Sequence, residues 1–415
     1  MSHPPEAKLF LSLPRLLPGV PATLATVTPS GVLAPFPSWD AHTPSSPTAI
    51  HSAAGLEVDA TNTLWVADQG VGLGSKLHPA KLLAYDAATG EEVWRMLFPP
   101  SLVSPGIHAL PAMVVDRLHE VVFLADYGSS LGGAIVVVDV LSQSAIRVLT
   151  ASTATSPVPS LWIHINGDPV EADAPLQIGA RGIALSPDTN SLIVSPLTSH
   201  ALYSLPTAPL RSAVASNTTA THLNVTLVEE KSYASAGLAY ANTSVLYQTS
   251  LEDSGIMRGM GKESQRVAGN SHSMLWPASI GWDHKGSLLF TTTSLYLGLE
   301  GRLSSNTSNF HIYAVDVGAD SYLAHLLPPP GGKGSTNHVE GKLSTTQLFL
   351  IIGALLIGSA LLFAIMFAVG NAVLRHRHAS AHASAQRERI HSAVINPPTS
   401  PAITPTPSDP LLSRP

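Results

Sequence analysis

Gly55-LEVDATNTLWVAD-Gln69 and Ala112-MVVDRLHEVVFLAD-Tyr127 are built alike: an apolar run, a polar turn, then a second apolar run closing on Ala-Asp. The runs are rich in Val, Leu, Phe and Trp, and each pair is separated by only the few polar residues a hairpin needs. The unit returns at Gly182-IALSPDTNSLIVSPL, at Gly237-LAYANTSVLYQTSL and at Ser279-IGWDHKGSLLFTTTSL. Several units continue with a third run: Lys81-LLAYD, Ala134-IVVVDV, Ala201-LYSLP and Phe310-HIYAVDV. Helical periodicity is nearly absent over this region. A hairpin unit repeating every ~40 to 70 residues predicts an all-β propeller with one blade per unit.

Five such units are visible. A six-bladed ring needs one more, and the stretch before residue 50 is short and proline-rich. The ring is therefore expected either to close with help from Phe310–Val317 or to have an incomplete first blade.

Composition narrows the function classes. Of 415 residues, 45% are hydrophobic and 12% charged, too apolar for disorder and too sparsely charged for a nucleic-acid binder. The net charge of −6 is mild and gives no reason to expect a polyanion partner. There is no cysteine, hence no disulfide framework, thiol nucleophile or cysteine-ligated metal. A propeller of this length buries enough apolar surface without staples.

One segment differs from everything before it. Leu348–Val369 reads LFLIIGALLIGSALLFAIMFAV, uncharged throughout. As a helix it would extend about 33 Å, enough for a bilayer core of about 30 Å. Arg375, Arg377, Arg387 and Arg389 follow it, and only Lys333 and Lys342 lie just before it. The positive-inside rule then places the C-terminus in the cytosol and the propeller outside or in a lumen. Four N-glycosylation sequons, at Asn217, Asn224, Asn242 and Asn306, all precede the span. The expected organisation is a propeller over 1–330, a linker over 331–347, a single transmembrane helix over 348–374 and a disordered cytosolic tail over 375–415. The N-terminus fits this layout poorly: Pro14 and Arg15 interrupt the apolar stretch Leu9–Leu17, with no basic region ahead of it, so it makes a poor signal peptide. The chain is accordingly expected to be N-terminally truncated.

Leu9-FLSLPRLLPGVPATLATV followed by Leu33-APFPSWDAH resembles the "PR…GVPATL…PYPSW" order of the major royal jelly/yellow protein family. Gly55-LEVDATNTLWVADQG resembles that family's "VD…LWVLDTG", and Lys81-LLAYDAATGEEVWRMLFP its "KLVVFDL…FP". Trp276-Pro277, opening the last unit, matches another recurrent position. The resemblance runs over residues 9–325 and implies a six-bladed propeller. It also implies a channel ligand such as a biogenic amine, or conversion of dopachrome-like catechols. The membrane anchor and the missing cysteines depart from the family's usual soluble, secreted members.

In a propeller the loops after the second strands, together with the entrances to the inner strands, gather on one face, the default ligand site. Here that face carries Asp68, Gln69, Asp126, Tyr127, His200, Glu252 and Asp253, with Arg181 and Trp276 at inner-strand entrances. The ligand set is read as Asp68, Asp126, Tyr127, Arg181, Glu252 and Trp276, where carboxylates and aromatics would cradle an organic cation. The competing reading of Asp68 and Asp126 is that they cap turns, a common role of Asp. No catalytic residue is assigned, and no cofactor or metal is expected. Gly128-Ser-Ser130-Leu-Gly132 has the GxSxG spacing but sits between strands, where a nucleophile elbow needs a helix. Gly255–Lys262 only superficially resembles a phosphate loop. Glu57 or Asp283 would suit a lactonase-like metal site, without a second matching element. Three functions compete: a membrane-displayed binder of a small amine- or catechol-like ligand, an enzyme of tautomerase or metal-dependent hydrolase type, and a protein- or glycan-binding module.

Overall fold

Strand after strand is buried along almost its whole length, which explains why the runs read as continuously apolar rather than alternating. In Thr63–Asp68 the side chains of Leu64 and Val66 pack with Leu24, Phe36 and Ile50 on one side. Trp65 and Ala67 pack with Leu110, Met113 and Val122 on the other. The second to fifth sheets are covered on both faces by their neighbours, so both sets of alternate residues there are apolar.

The computed structural model describes residues 8–15, 19–28, 31–71, 77–129, 132–171, 173–218, 223–283, 285–294, 296–297, 302–304, 306 and 308–324. They form a six-bladed all-β propeller. The first sheet contains β1 (Leu9–Ser12), β2 (Leu24–Val27) and β3 (Leu33–Pro35). The second contains β4 (Ala53–Val58), β5 (Thr63–Asp68), β6 (Lys81–Asp86) and β7 (Glu92–Leu97). The third contains β8 (Ala112–Asp116), β9 (Val121–Ser129), β10 (Gly132–Asp139) and β11 (Ser144–Val148). A small hairpin, β12 (His164–Ile165) and β13 (Asp168–Pro169), precedes the fourth sheet of β14 (Ala180–Leu185), β15 (Ser191–Pro196), β16 (Ala201–Pro206) and β17 (Thr226–Glu230). Helix α1 (Thr207–Ala215) interrupts that sheet between β16 and β17. The fifth sheet is β18 (Leu238–Tyr240), β19 (Leu246–Ser250), β20 (Gly255–Arg258) and β21 (Gln265–Gly269). The sixth is β22 (Pro277–Trp282), β23 (Ser287–Thr293) and β24 (Phe310–Asp316).

The inner strands β4, β8, β14, β18 and β22 stand side by side around the channel. Their small leading residues follow from that crowding. A Cβ on Gly182 would meet the Leu238 side chain at 2.9 Å, and one on Gly237 would meet Ile280 at 3.0 Å. The glycines that open the repeat units are thus spacers between neighbouring inner strands.

Of the two expected ways to complete the ring, the incomplete first blade is the one found: residues before 50 build a three-stranded sheet. Phe310–Asp316 is the third run of its own unit, paired with β23 in the sixth sheet, and does not pair with the first sheet. Moreover, β1 runs opposite to β4. It starts beside the turn after β6, where Lys8 Nζ donates to Ala87 and Ala88, and it leads to Arg15, whose N–H donates to Ser52 Oγ at the start of β4. So β1 holds the second place in its blade, and among the described residues no strand pairs with its inner edge.

After β24 the chain turns under the channel. Asn242 N–H donates to Asp320 O, and Tyr322 N–H donates to Tyr240 O. The buried Tyr322 hydroxyl accepts from Val115 N–H at 3.2 Å and lies 3.3 Å from Glu57 Oε1. One residue therefore ties together the ends of β4 and β8, through its side chain, and of β18, through its backbone N–H. Gly128–Gly132 lies at the β9–β10 hairpin and Gly255–Arg258 is a strand, so neither forms an elbow or a phosphate loop. Asn217, Asn224, Asn242 and Asn306 are all exposed. The linker, the apolar span and the tail lie outside the described residues. Among the described residues no helix is long and apolar enough to cross a membrane.

Candidate functional site

The face on which the inner strands begin brings together the ends of β5, β9, β15 and β19 and the entrances to β4, β8, β14, β18 and β22. All six predicted ligand residues lie on it. Their states differ sharply.

Asp68 is fully buried at the end of β5. Its Oδ2 accepts the N–H of His51 at 2.7 Å and faces Lys81 Nζ at 2.7 Å, while Oδ1 accepts the N–H groups of Ser52 and Gly70. Burial pushes this carboxyl up, but Lys81 and the backbone donors outweigh it and hold the group below its ordinary range. Asp126, equivalent in β9, accepts Gly128 N–H and Arg147 Nε at 2.8 and 2.9 Å. His108 Nδ1 lies 3.0 Å from the same carboxylate, off the line of a hydrogen bond. Glu252 accepts Ala234 N–H at 2.8 Å and lies 3.2 Å from His200 Nε2. Thr198 and Thr249 repeat the pattern in the next blades, accepting N–H groups of Ile178 and of Ala236 and Gly237. Asp68, Thr198, Thr249 and Glu252 thus satisfy backbone that leads into an inner strand, whereas Asp126 serves Gly128 and Arg147. Every one of these carboxylates already has a partner, which an incoming ammonium would have to displace.

The cations are placed otherwise. Arg181, on β14 and only 8% exposed, makes one hydrogen bond, from Nη1 to Ala236 O at 3.2 Å. Burial lowers its pKa to about 10, and only the neighbouring Tyr127 works the other way. Burial also raises the Tyr127 phenol well above its usual range, and Arg181 opposes that shift. Lys231 lies just beyond β17. Its Nζ donates to Ser235 Oγ and, at 3.0 Å, to Gln248 Oε1, and stands 4.8 Å from the centre of the Tyr233 ring. Burial lowers this amine to about 7, against the pull of Glu229 and Glu252.

Trp276 guards the entrance to β22. It is 3% exposed, has φ +45° immediately before Pro277, and stacks on Tyr296 with ring centroids 6.2 Å apart and planes 12° from parallel. A left-handed backbone is an outlier for a bulky residue, and strain of this kind gathers at ligand clamps. An open cleft of about 550 Å³ in the fifth blade is lined by Glu252, Asp253, Arg266, Asn270, Ser271 and His272.

The structure thus unites Tyr127 with Arg181 and leaves Asp68, Asp126 and Glu252 each in its own blade. Sequence reasoning missed Lys231, Arg147 and the pair His51 and His78, whose rings stack 3.6 Å apart. Nothing local marks them, because each gains its meaning from residues on other strands. Glu57 and Asp283 do not converge on a metal: Glu57 meets Tyr322, and Asp283 accepts the N–H groups of Lys285 and Ser287. Among the described residues no group of three or more His, Cys, Asp or Glu is placed to hold a metal ion.

The family model for major royal jelly proteins matches residues 51–321. Major royal jelly protein 2 of Apis mellifera is 31% identical over 216 residues, which are 49% of this chain and 45% of that protein. Protein yellow of Drosophila subobscura is 34% identical over 109 residues, 24% of this chain and 19% of that one. The chain therefore spans less than half the length of these relatives. Among solved structures, a chain of the nidogen/laminin complex is similar with a TM-score of 0.44 and 10% identity, over 75% of this chain and 90% of that chain.

Proposed function

Because this chain belongs to the major royal jelly protein family, we propose that it is a membrane-displayed propeller binding a small ring-bearing organic compound at the mouth of its channel. The observation that carries this reading is Trp276: a buried, strained aromatic stacked on a second one, at the entrance to an inner strand. Flat aromatic walls with a few fixed polar groups are what holds a small organic ligand. At the far ends of β4 and β8 the Tyr322 hydroxyl is held between Glu57 and Val115, away from this mouth. A catechol suits the mouth better than an amine, since a ring hydroxyl accepts from Arg181 whereas an ammonium finds its carboxylates occupied. Display outside the cytosol rests on the apolar span Leu348–Val369, the arginines behind it and the exposed sequon asparagines before it.

The test is a thermal-shift titration of the full-length chain with dopamine, catechol and divalent cations. Catechol at a hundredfold excess over its dissociation constant is expected to stabilise the fold by about 2.7 kcal/mol. Trp276→Ala should abolish that shift. A shift from calcium or zinc alone would move the assignment to a metal-dependent hydrolase.

A further inference from the structure

Among the described residues Arg181 is a buried arginine at the channel mouth with no ion pair and a single hydrogen bond. Arg147 has Asp126. Lys81 has Asp68. Arg181 has five donors and uses one, on Ala236 O. Among the described residues no carboxylate lies within 4 Å of it, although it is more than nine-tenths buried. Its remaining nitrogens are not sealed in, because none of them is among the fully enclosed polar atoms left without a partner. A buried guanidinium in this state is costly unless an anion completes it.

A second cation stands next to the same stretch of chain. Arg181 grips Ala236 from one side, and Lys231 grips Ser235, one residue earlier. Lys231 also has no carboxylate within 4 Å among the described residues, and its two partners are a hydroxyl and an amide. The entrance to β18 is thus flanked by a buried guanidinium and a half-buried amine that also feels Glu229 and Glu252, while the carboxylates at the ends of β5 and β9 are engaged.

We propose that Arg181 anchors the carboxylate of an organic acid, with Lys231 adding to the positive potential from the other side of Ser235. A carboxylate matches the planar fork of a guanidinium and takes two parallel hydrogen bonds from it, which neither an amine nor a neutral hydroxyl does. This deepens the reading of the mouth as a small-molecule site, and rests on it for the ring that accompanies the acid.

Three probes sharing one ring and chain length separate the ideas: phenylacetate, 2-phenylethanol and 2-phenylethylamine, titrated calorimetrically into the full-length chain. Phenylacetate should bind about tenfold or more tighter than the alcohol, the worth of a charge-assisted hydrogen bond. The amine should bind weakest. Arg181→Met should remove the preference for the acid and leave alcohol binding nearly unchanged, and Arg181→Lys should keep part of it. Should Arg181→Met fail to fold, the ranking in the unmodified chain still decides. Amine binding tighter than acid binding overturns the carboxylate anchor while the ring site stands. Failure of all three to bind overturns both.

Discussion

Asp68 holds a lysine and three backbone N–H groups in a place without water. Removing one partner of such a pair strands the other charge, so Lys81→Met should destabilise the fold by about 3–5 kcal/mol at neutral pH, read from urea unfolding. The pH sign follows from the carboxyl being held low in the folded state. Its contribution is full above the unfolded pKa of about 3.9 and is lost as pH falls through the folded value. In Lys81→Met the stranded carboxyl takes up a proton more easily, so the deficit should shrink toward acid pH. A deficit that is constant from pH 7 to pH 4 would refute this account. The sequence placed Asp68 and Asp126 on the right face, because Ala-Asp closes an apolar run in both units. It did not reveal that both are engaged, since Lys81 and Arg147 look like ordinary surface cations until β6 and β11 are laid beside their neighbours.

The segment after β24 behaves as an element although it is neither strand nor helix. Residues 320–323 pair with the turn after β18, and Tyr322 reaches Glu57 on β4. Burial raises the Glu57 carboxyl to about 8, with the Tyr322 hydroxyl and Asp59 as smaller influences of opposite sign. A carboxyl raised on folding contributes stability that is complete below the unfolded pKa of about 4.3 and fades as pH rises toward about 8. Glu57→Gln, which cannot ionise, should therefore gain on the unmodified chain between pH 5 and pH 9, seen as a urea midpoint that falls less over that range. Parallel pH profiles would show that Glu57 is not the group responsible. The blade strands were legible because hairpin spacing and apolar runs are local. The first blade was legible only as incomplete, because Leu9–Ser12 is short and Pro14, Pro18 and Pro21 mask the return to β2. The path of Tyr322 was hidden for a different reason: a single aromatic carries no period.

For the molecule as a whole, the proposed display outside the cytosol makes a prediction that needs no ligand. The full-length chain expressed in secretory cells should lose mass on treatment with an N-glycosidase. That loss should shrink stepwise as Asn217, Asn224, Asn242 and Asn306 are changed to Gln. A chain with unaltered mobility throughout would argue against lumenal passage. The number of blades was readable to within the first sheet, whereas the charge balance of the channel mouth emerges only when five blades meet. Tyr322 has a mechanical meaning as well. Tension drawn along the chain beyond residue 324 does not arrive at the rim of the last sheet, where strands would unzip one at a time. It arrives at the hub, on a residue whose hydroxyl meets β4 and β8 and whose N–H bonds to β18, so the load divides among three sheets and the ring should yield as a unit, at a higher force than a peeled blade would bear.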